Sequence, residues 1–177
     1  MACTLNTGRK LPCKSAFGGI KTVWLGDFGG ITGVTVDSTT KQVTTIAGTQ
    51  PDWYQFDVKG NSSLETTVTS SRENGTTFYT QTLNLTLTYL DAKTQAELQD
   101  IAKARPYVVV EDYYGNQFLC GYENGMEVTG GTIVTGAAAG DLSGFTLVME
   151  GMEETAPFFV DAGATNFTAN ATQITPN

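Results

Sequence analysis

Histidine is absent from the 177-residue chain, and that absence removes whole classes of chemistry. A serine or cysteine nucleophile of the triad type needs an imidazole that titrates near neutrality. Most zinc sites take at least one histidine or else four cysteines, and the chain has 3 cysteines. Charge is scarce too: 16% of residues are charged, against about 25% in an average soluble domain. Cations are the scarcer sign, 10 Lys and Arg against 18 Asp and Glu for a net charge of −8. Their only concentration is Arg9, Lys10, Lys14 and Lys21, whereas a free-standing nucleic-acid binder normally presents a basic face. No apolar run approaches the ~20 residues needed to span a bilayer as a helix, so no membrane partner is expected. The opening MACTLNTGRKLPCKSAFGG has no apolar core behind its charges, so no signal peptide is expected. Without one, the Asn-x-Ser/Thr triplets beginning at Asn61, Asn74, Asn84, Asn166 and Asn170 read as chance in a Thr- and Asn-rich chain. Cys3, Cys13 and Cys120, an odd set, make a poor disulfide framework. Cys3 and Cys13 read as reduced cytoplasmic thiols, with a short-loop pair as the alternative.

What is present is threonine, glycine and alternation, which favour strands and turns. The length suits one domain with a real core. Residues 1–19 read as an irregular N-terminal arm broken by Gly8, Pro12 and Gly18–Gly19. Residues 20–160 read as a single β domain, and 161–177 as a flexible, polar C-terminal tail. Within the domain, IKTVWLGDF is a strand ended by Gly29–Gly30. Val34 and Val36 lead through a turn at Asp37–Thr40 to a strand over Gln42–Ala47, a hairpin. DWYQFDV is an aromatic strand. SLETTVTSS runs to Asn74-Gly75, the pair preferred in a two-residue type I′ turn. In FYTQTLNLTLTYL, Leu83, Leu85, Leu87 and Tyr89 fall on one face and Asn84, Thr86 and Thr88 on the other. The one helical stretch spans about 92–104. Asp91 is a candidate N-cap, Thr94 with Glu97 offers a second start, and Leu98, Ile101 and Ala102 form a narrow seam for packing on a sheet. Pro106 stops it. YVVVEDY and QFLCGYE form a hairpin about Tyr114-Gly115-Asn116. GMEVTGGTIVTG is a strand with a bulge near Gly130–Gly131, GFTLVMEGMEE another, and APFFV a last short one. Eight to ten strands with one helix predict an antiparallel β-sandwich or barrel with a flanking α-helix.

Three carboxylates, Glu111, Asp112 and Glu123, flank the Tyr-Tyr-Gly-Asn turn. Glu111 and Asp112 are adjacent on a strand and point to opposite faces, so they are not a glycosidase pair. Either can approach Glu123 across the hairpin, but an exposed turn supplies no desolvation to raise an acid's pKa. DYYGNQ has oxygen ligands but not the ligand order of an EF-hand loop, and strand end plus turn explains it. FGGIKTVWLGDFGGITG lacks the phosphate-cradle pattern and leads into strand rather than helix. Trp24, Trp53 and Tyr113–Tyr114 suit core or interface better than a stacking platform. No catalytic, metal or cofactor site is expected, and the chain does not read as an enzyme.

The segment LTLTYLDAKTQAELQDIAKARPYVVVEDYYGNQFLCGYENGMEVTGGTIVTGAAAGDLSGFTLVMEGME resembles the second half of phage tail-tube-type virion proteins. The shared order is amphipathic strand, Asp-capped helix, strand ending in Glu-Asp, Tyr-Gly-Asn turn, Gly-containing strand, Gly-rich loop and final strand. The opening MACTLNTGRKLPCKSAFGGIKTVWL is similar to the start of structural proteins of bacterial viruses. The resemblance covers about two-thirds of the chain and rests on architecture rather than on a diagnostic motif. It implies a tail-tube-like subunit that self-assembles into homohexameric rings whose sheets join into a β-barrel. The rings stack into the tube through which DNA passes at ejection without specific binding. Implied partners are further copies and sheath, tail-terminator or baseplate proteins. The implied location is the virion tail, assembled in the bacterial host cytoplasm. A capsid-decoration or head–tail connector protein, the inner tube of a contractile injection system and a carbohydrate-binding sandwich are the alternatives. A negative lumen repels phosphate and prevents the counterion-release attraction of a basic channel. The candidate channel-lining acids are Glu111, Asp112, Glu123, Glu127 and Glu150.

Overall fold

A computed structural model describes residues 9, 14, 17–49, 52–58 and 61–161. Most of the expected N-terminal arm, all but the first residue of the expected C-terminal tail, and the thiols of Cys3 and Cys13 therefore lie outside the described residues. The fold is mainly β, two antiparallel-rich sheets with one helix. The described residues form eleven strands rather than eight to ten: β1 (Ile20–Gly26), β2 (Ile31–Val36), β3 (Val43–Gly48), β4 (Trp53–Asp57), β5 (Ser63–Ser71), β6 (Thr76–Thr88), β7 (Tyr107–Asp112), β8 (Gln117–Cys120), β9 (Glu127–Val134), β10 (Gly144–Glu153) and β11 (Phe158–Val160). Helix α1 (Ala92–Ile101) lies between β6 and β7.

The larger sheet has the order β2-β3-β11-β8-β7-β1-β4, and the smaller one β5-β6-β10-β9. All pairs are antiparallel except β11 with β3. The apolar alternation of β6 and β10 buries Leu83, Leu85, Leu87, Phe145, Leu147 and Met149 against Val23, Leu25, Val108, Val110 and Cys120 of the larger sheet. This is the sandwich core, and Leu98 of α1 completes it.

The larger sheet is apolar on both faces. Trp24, Trp53, Tyr107, Val109 and Leu119 form a second core with Val43 and Ile46. Chain connectivity explains it. Four residues, 27–30, join β1 to β2, yet five strand intervals separate them in the sheet. In a flat sheet that separation is about 24 Å, while five residue steps reach at most about 17 Å. The sheet must therefore roll, and its concave face holds the second core. Phe28 in the connecting turn stacks on Tyr107 at 4.9 Å, and Arg105 lies over Phe28 at 4.9 Å. The Gly29 N–H donates to the Tyr107 hydroxyl at 3.2 Å. Trp24 and Trp53 are core residues on this face.

Local expectations are corrected at three places. The β5–β6 turn is not a two-residue type I′ turn: Ser71 pairs with Thr76, leaving a four-residue loop in which Gly75 has φ +64° and Asn74 stays at negative φ. Tyr89 does not continue the leucine face; the strand ends at Thr88, and Tyr89 turns left-handed at φ 70° into solvent. The helix starts at the Asp91 cap, whose carboxylate accepts from the N–H groups of Lys93 and Thr94, and stops at Ile101 rather than 104. Its last turn tightens, with the Lys103 N–H bonding the Asp100 carbonyl, so Ala102 is exposed and leaves the seam to Leu98 and half-buried Ile101.

Candidate functional site

The four-stranded sheet carries the most distinctive surface of the molecule. With Leu83, Leu85, Phe145, Leu147 and Met149 turned inward, parity sends Thr82, Asn84, Thr86, Thr146, Val148 and Glu150 outward. The register then aligns side chains across the strands. Glu65 of β5 lies opposite Thr82, Thr82 opposite Glu150, and Glu150 opposite Glu127 of β9. One row thus holds three carboxylates, two of them directly opposed. Directly opposed like charges destabilise a sheet, and among the described residues no Lys or Arg forms an ion pair with them: none of the four strands contains either, and the salt bridges lie elsewhere. The rest of the face is threonine-rich, with Thr146 and Thr132 hydroxyls 2.6 Å apart.

The sheet also ends in two long edges. β5 pairs only with β6, and β9 only with β10, among the described residues. Neither carries a Lys or Pro of the kind that blunts an edge. The expected irregularity near Gly130–Gly131 is present. The register slips so that Thr129 has no partner between Val128↔Met149 and Gly130↔Val148. A Cβ on Gly131 would lie 2.7 Å from the Thr146 carbonyl oxygen, so glycine there permits the close strand approach.

The five candidate acids do not share a surface. Glu127 and Glu150 belong to the row just described. Glu111 and Asp112 end β7 in the larger sheet, and Glu123 lies in the turn after β8. Since Val108 pairs with Cys120 and Glu111 with Gln117, Glu123 sits at the opposite end of the β7–β8 hairpin from Glu111 and Asp112, and they do not approach one another across it. Glu111 and Asp112 each have a local task. Glu111 bonds the Lys21 ammonium at 2.9 Å, and that contact raises the lysine's pKa. The Asp112 carboxylate accepts from the Tyr114 N–H at 2.9 Å and from the Asn116 N–H and side-chain amide at 2.8 Å each, closing the turn. Glu123 is exposed.

Two functional groups escaped the sequence reading. Glu65 completes the acid row; alternation with Leu64 shows that it faces out, but only strand pairing shows what it faces. Glu153 is the one buried acid, 3% exposed. Its carboxylate accepts from the N–H groups of Glu123 (2.9 Å) and Asn124 (3.0 Å), and the buried Gln81 carbonyl accepts from the Gly121 N–H at 3.0 Å. Together they tie the β8–β9 turn to the smaller sheet. Burial raises the pKa of Glu153 despite those two bonds, which oppose the shift. Its parity with Met149 and Gly151 was the available signal.

Among the described residues, no group of three or more His, Cys, Asp or Glu is placed to hold a metal ion, and no helix is long and apolar enough to cross a membrane. No family model, curated protein or solved structure matches the chain.

Proposed function

We propose that the chain is a self-assembling subunit of a tube of stacked rings, of the phage-tail type, with the outer face of the β5-β6-β10-β9 sheet as the channel wall. The observation that carries this reading is a threonine-rich sheet whose strands hold no Lys or Arg, with Glu65, Glu150 and Glu127 in one row, bounded by two edges that are unpaired among the described residues. An isolated domain gains nothing from opposing carboxylates or from bare edges. A ring explains both. Pairing β9 of one copy with β5 of the next removes the edges, and the repeated acid row becomes a belt of negative charge around a lumen. Phosphates are repelled from such a wall, so a DNA strand slides without releasing counterions and sticking.

The dimensions are adequate. Six copies give 24 strands, and at a spacing of ~4.8 Å and a tilt of ~40° the backbone circle is about 45–50 Å across. After side chains are allowed for, a single duplex passes. Glu127 and Glu150 keep their role as channel-lining acids in this reading, Glu65 joins them, and Glu111, Asp112 and Glu123 are assigned elsewhere. Further copies are then the main partner, and the site of action is a virion tail.

Negative-stain microscopy of the purified protein tests the reading. Tubes of uniform width are expected on concentration. Isolated rings that never stack would favour a connector or capsid-associated role, and a monomer at every concentration would end the proposal.

A further inference from the structure

The two edges of the smaller sheet match each other residue by residue. Leu64 and Val68 of β5 lie on its inward side, Leu64 paired with Leu83. Val128 and Ile133 of β9 lie on the same side, paired with Met149 and Phe145. Val68 and Ile133 are nevertheless 58% and 59% exposed. Each edge therefore presents two apolar side chains, one of them largely bare. Their spacings agree. Leu64 and Val68 are four residues apart; Val128 and Ile133 are five apart, and the unpaired Thr129 takes up the extra residue.

The backbone has the matching phase. The Thr86 N–H donates to Ser62 Oγ at 3.0 Å, so even-numbered residues of β6 turn their amides towards β5. By alternation Ser63 and Glu65 bond back to β6, and Leu64, Thr66 and Val68 turn their N–H and C=O groups outward. The Thr132 N–H donates to Thr146 Oγ at 3.2 Å, which turns the amides of Gly131 and Ile133 away from β10. β5 and β9 also run in opposite directions, so copies related by rotation about one axis meet antiparallel.

We propose that the partner of each edge is the other edge of a second copy, with Ile133 opposite Leu64 and Val128 opposite Val68. That the edges meet at all rests on the tube reading; the register is new. Side-chain direction permits slips of two residues only. One such slip sets Ile133 against Thr66 and Val128 against Ser70; the other sets Gly131 against Leu64 and Val128 against Thr66. Only the proposed register opposes apolar to apolar. On the outer face it sets Glu65 against Thr132 and Glu127 against Thr69, so no carboxylates meet across the joint. Continuing the acid row straight across would instead oppose Glu127 and Glu65, which is unfavourable. The register steps each copy by four residues, about 13 Å, per four strands, about 19 Å, a strand tilt of about 35°. Closed barrels need about that tilt, and here it follows from the edges without reference to copy number.

Disulfide trapping tests the register. Thr132 and Glu65 of adjacent copies form a non-hydrogen-bonded pair, with Cα atoms about 4.5 Å apart, within disulfide reach. Within one copy three strand intervals, about 14 Å, separate them, so any bond is between copies. In a Cys3→Ser, Cys13→Ser background, Glu65→Cys with Thr132→Cys should give covalent multimers on oxidation of concentrated protein. Ser63→Cys or Thr67→Cys with Thr132→Cys should give few. Equal or better linking in either comparison chain overturns the register. Tubes by microscopy without linking in any chain overturn the joint and leave the tube reading standing. Monomers at every concentration end both. Ile133→Asp supplies a second measurement, because the residue is exposed in the free subunit. Its melting should match that of the wild type, while the concentration needed for assembly rises about tenfold or more. Unchanged assembly also overturns the proposal.

Discussion

Glu150 is the middle acid of its row, and neutralising it should make the subunit more stable. Glu127 stands directly opposite on β9, and Glu65 lies two strands away beyond Thr82. Strand spacing puts the carboxylates at about 6 Å and 10 Å. With the dielectric constant of water, the repulsions are about 0.7 and 0.4 kcal/mol. At 0.01 M salt, with a screening length of about 30 Å, roughly 0.9 kcal/mol of the total survives; at 1 M, with about 3 Å, roughly 0.1 kcal/mol does. Glu150→Gln keeps the shape and removes the charge. In urea titrations of the monomer, with a slope of about 1–3 kcal/mol per M, its midpoint should rise by roughly 0.3–0.9 M at low salt and hardly at all at 1 M. An unchanged or lowered midpoint at low salt would refute the acid row, and so would an equal rise at both salts. Should the protein assemble into the proposed rings, the same substitution is expected to make DNA adhere more readily to the lumen, which would tie the destabilising charge to its proposed use.

Three further outcomes are expected. Asp112→Ala removes three short bonds that close the β7–β8 turn, and at about 0.5–1.5 kcal/mol each it should lower stability by roughly 2 kcal/mol in urea titration. Because burial raises the pKa of Glu153 in the folded state, the fold favours its neutral form. Its contribution is therefore most favourable at low pH and declines as pH rises from the ordinary carboxylate range through the raised value. Melting curves of wild type and Glu153→Gln over about pH 4 to 8 should show the variant gaining on the wild type as pH increases. Burial, and to a smaller extent the nearby Glu153 charge, pushes the Cys120 thiol far above its ordinary range. In a Cys3→Ser, Cys13→Ser background, thiol reagents should label Cys120 only at the rate of unfolding, and rapid labelling of the native protein would contradict the buried placement.

The fold class was legible because its main signal is local. Alternation at Leu83, Leu85 and Leu87 and at Phe145, Leu147 and Met149 gives both the strands and their buried face, and Asp91 and Pro106 bracket the helix. SLETTVTSS was bounded residue for residue by its flanking polar turns. Pairings between distant segments were not legible. Nothing in APFFV says that β11 inserts between β3 and β8, and nothing in the 27–30 turn says that the larger sheet rolls. The candidate site suffered from the same limit. Glu127 and Glu150 were singled out one at a time, but their opposition and the inclusion of Glu65 are facts of register. Grouping Glu111 and Asp112 with Glu123 trusted closeness in sequence, and an antiparallel hairpin places its two outer ends far from its turn. Asn74-Gly75 misled because a two-residue turn there requires Glu73 to pair with Thr76, whereas Ser71 does so, two residues farther back along the chain.

The position of β11 has a consequence for the order of events during synthesis. Among the described residues, this three-residue strand alone links the β2–β3 hairpin to β8 in the larger sheet. Until residues 158–160 have left the ribosome, that hairpin can form but has no place in the sheet, and the concave core around Ile46 and Trp53 stays incomplete. A fold in which a late strand locks an early hairpin stays unfinished until residues 158–160 have been made.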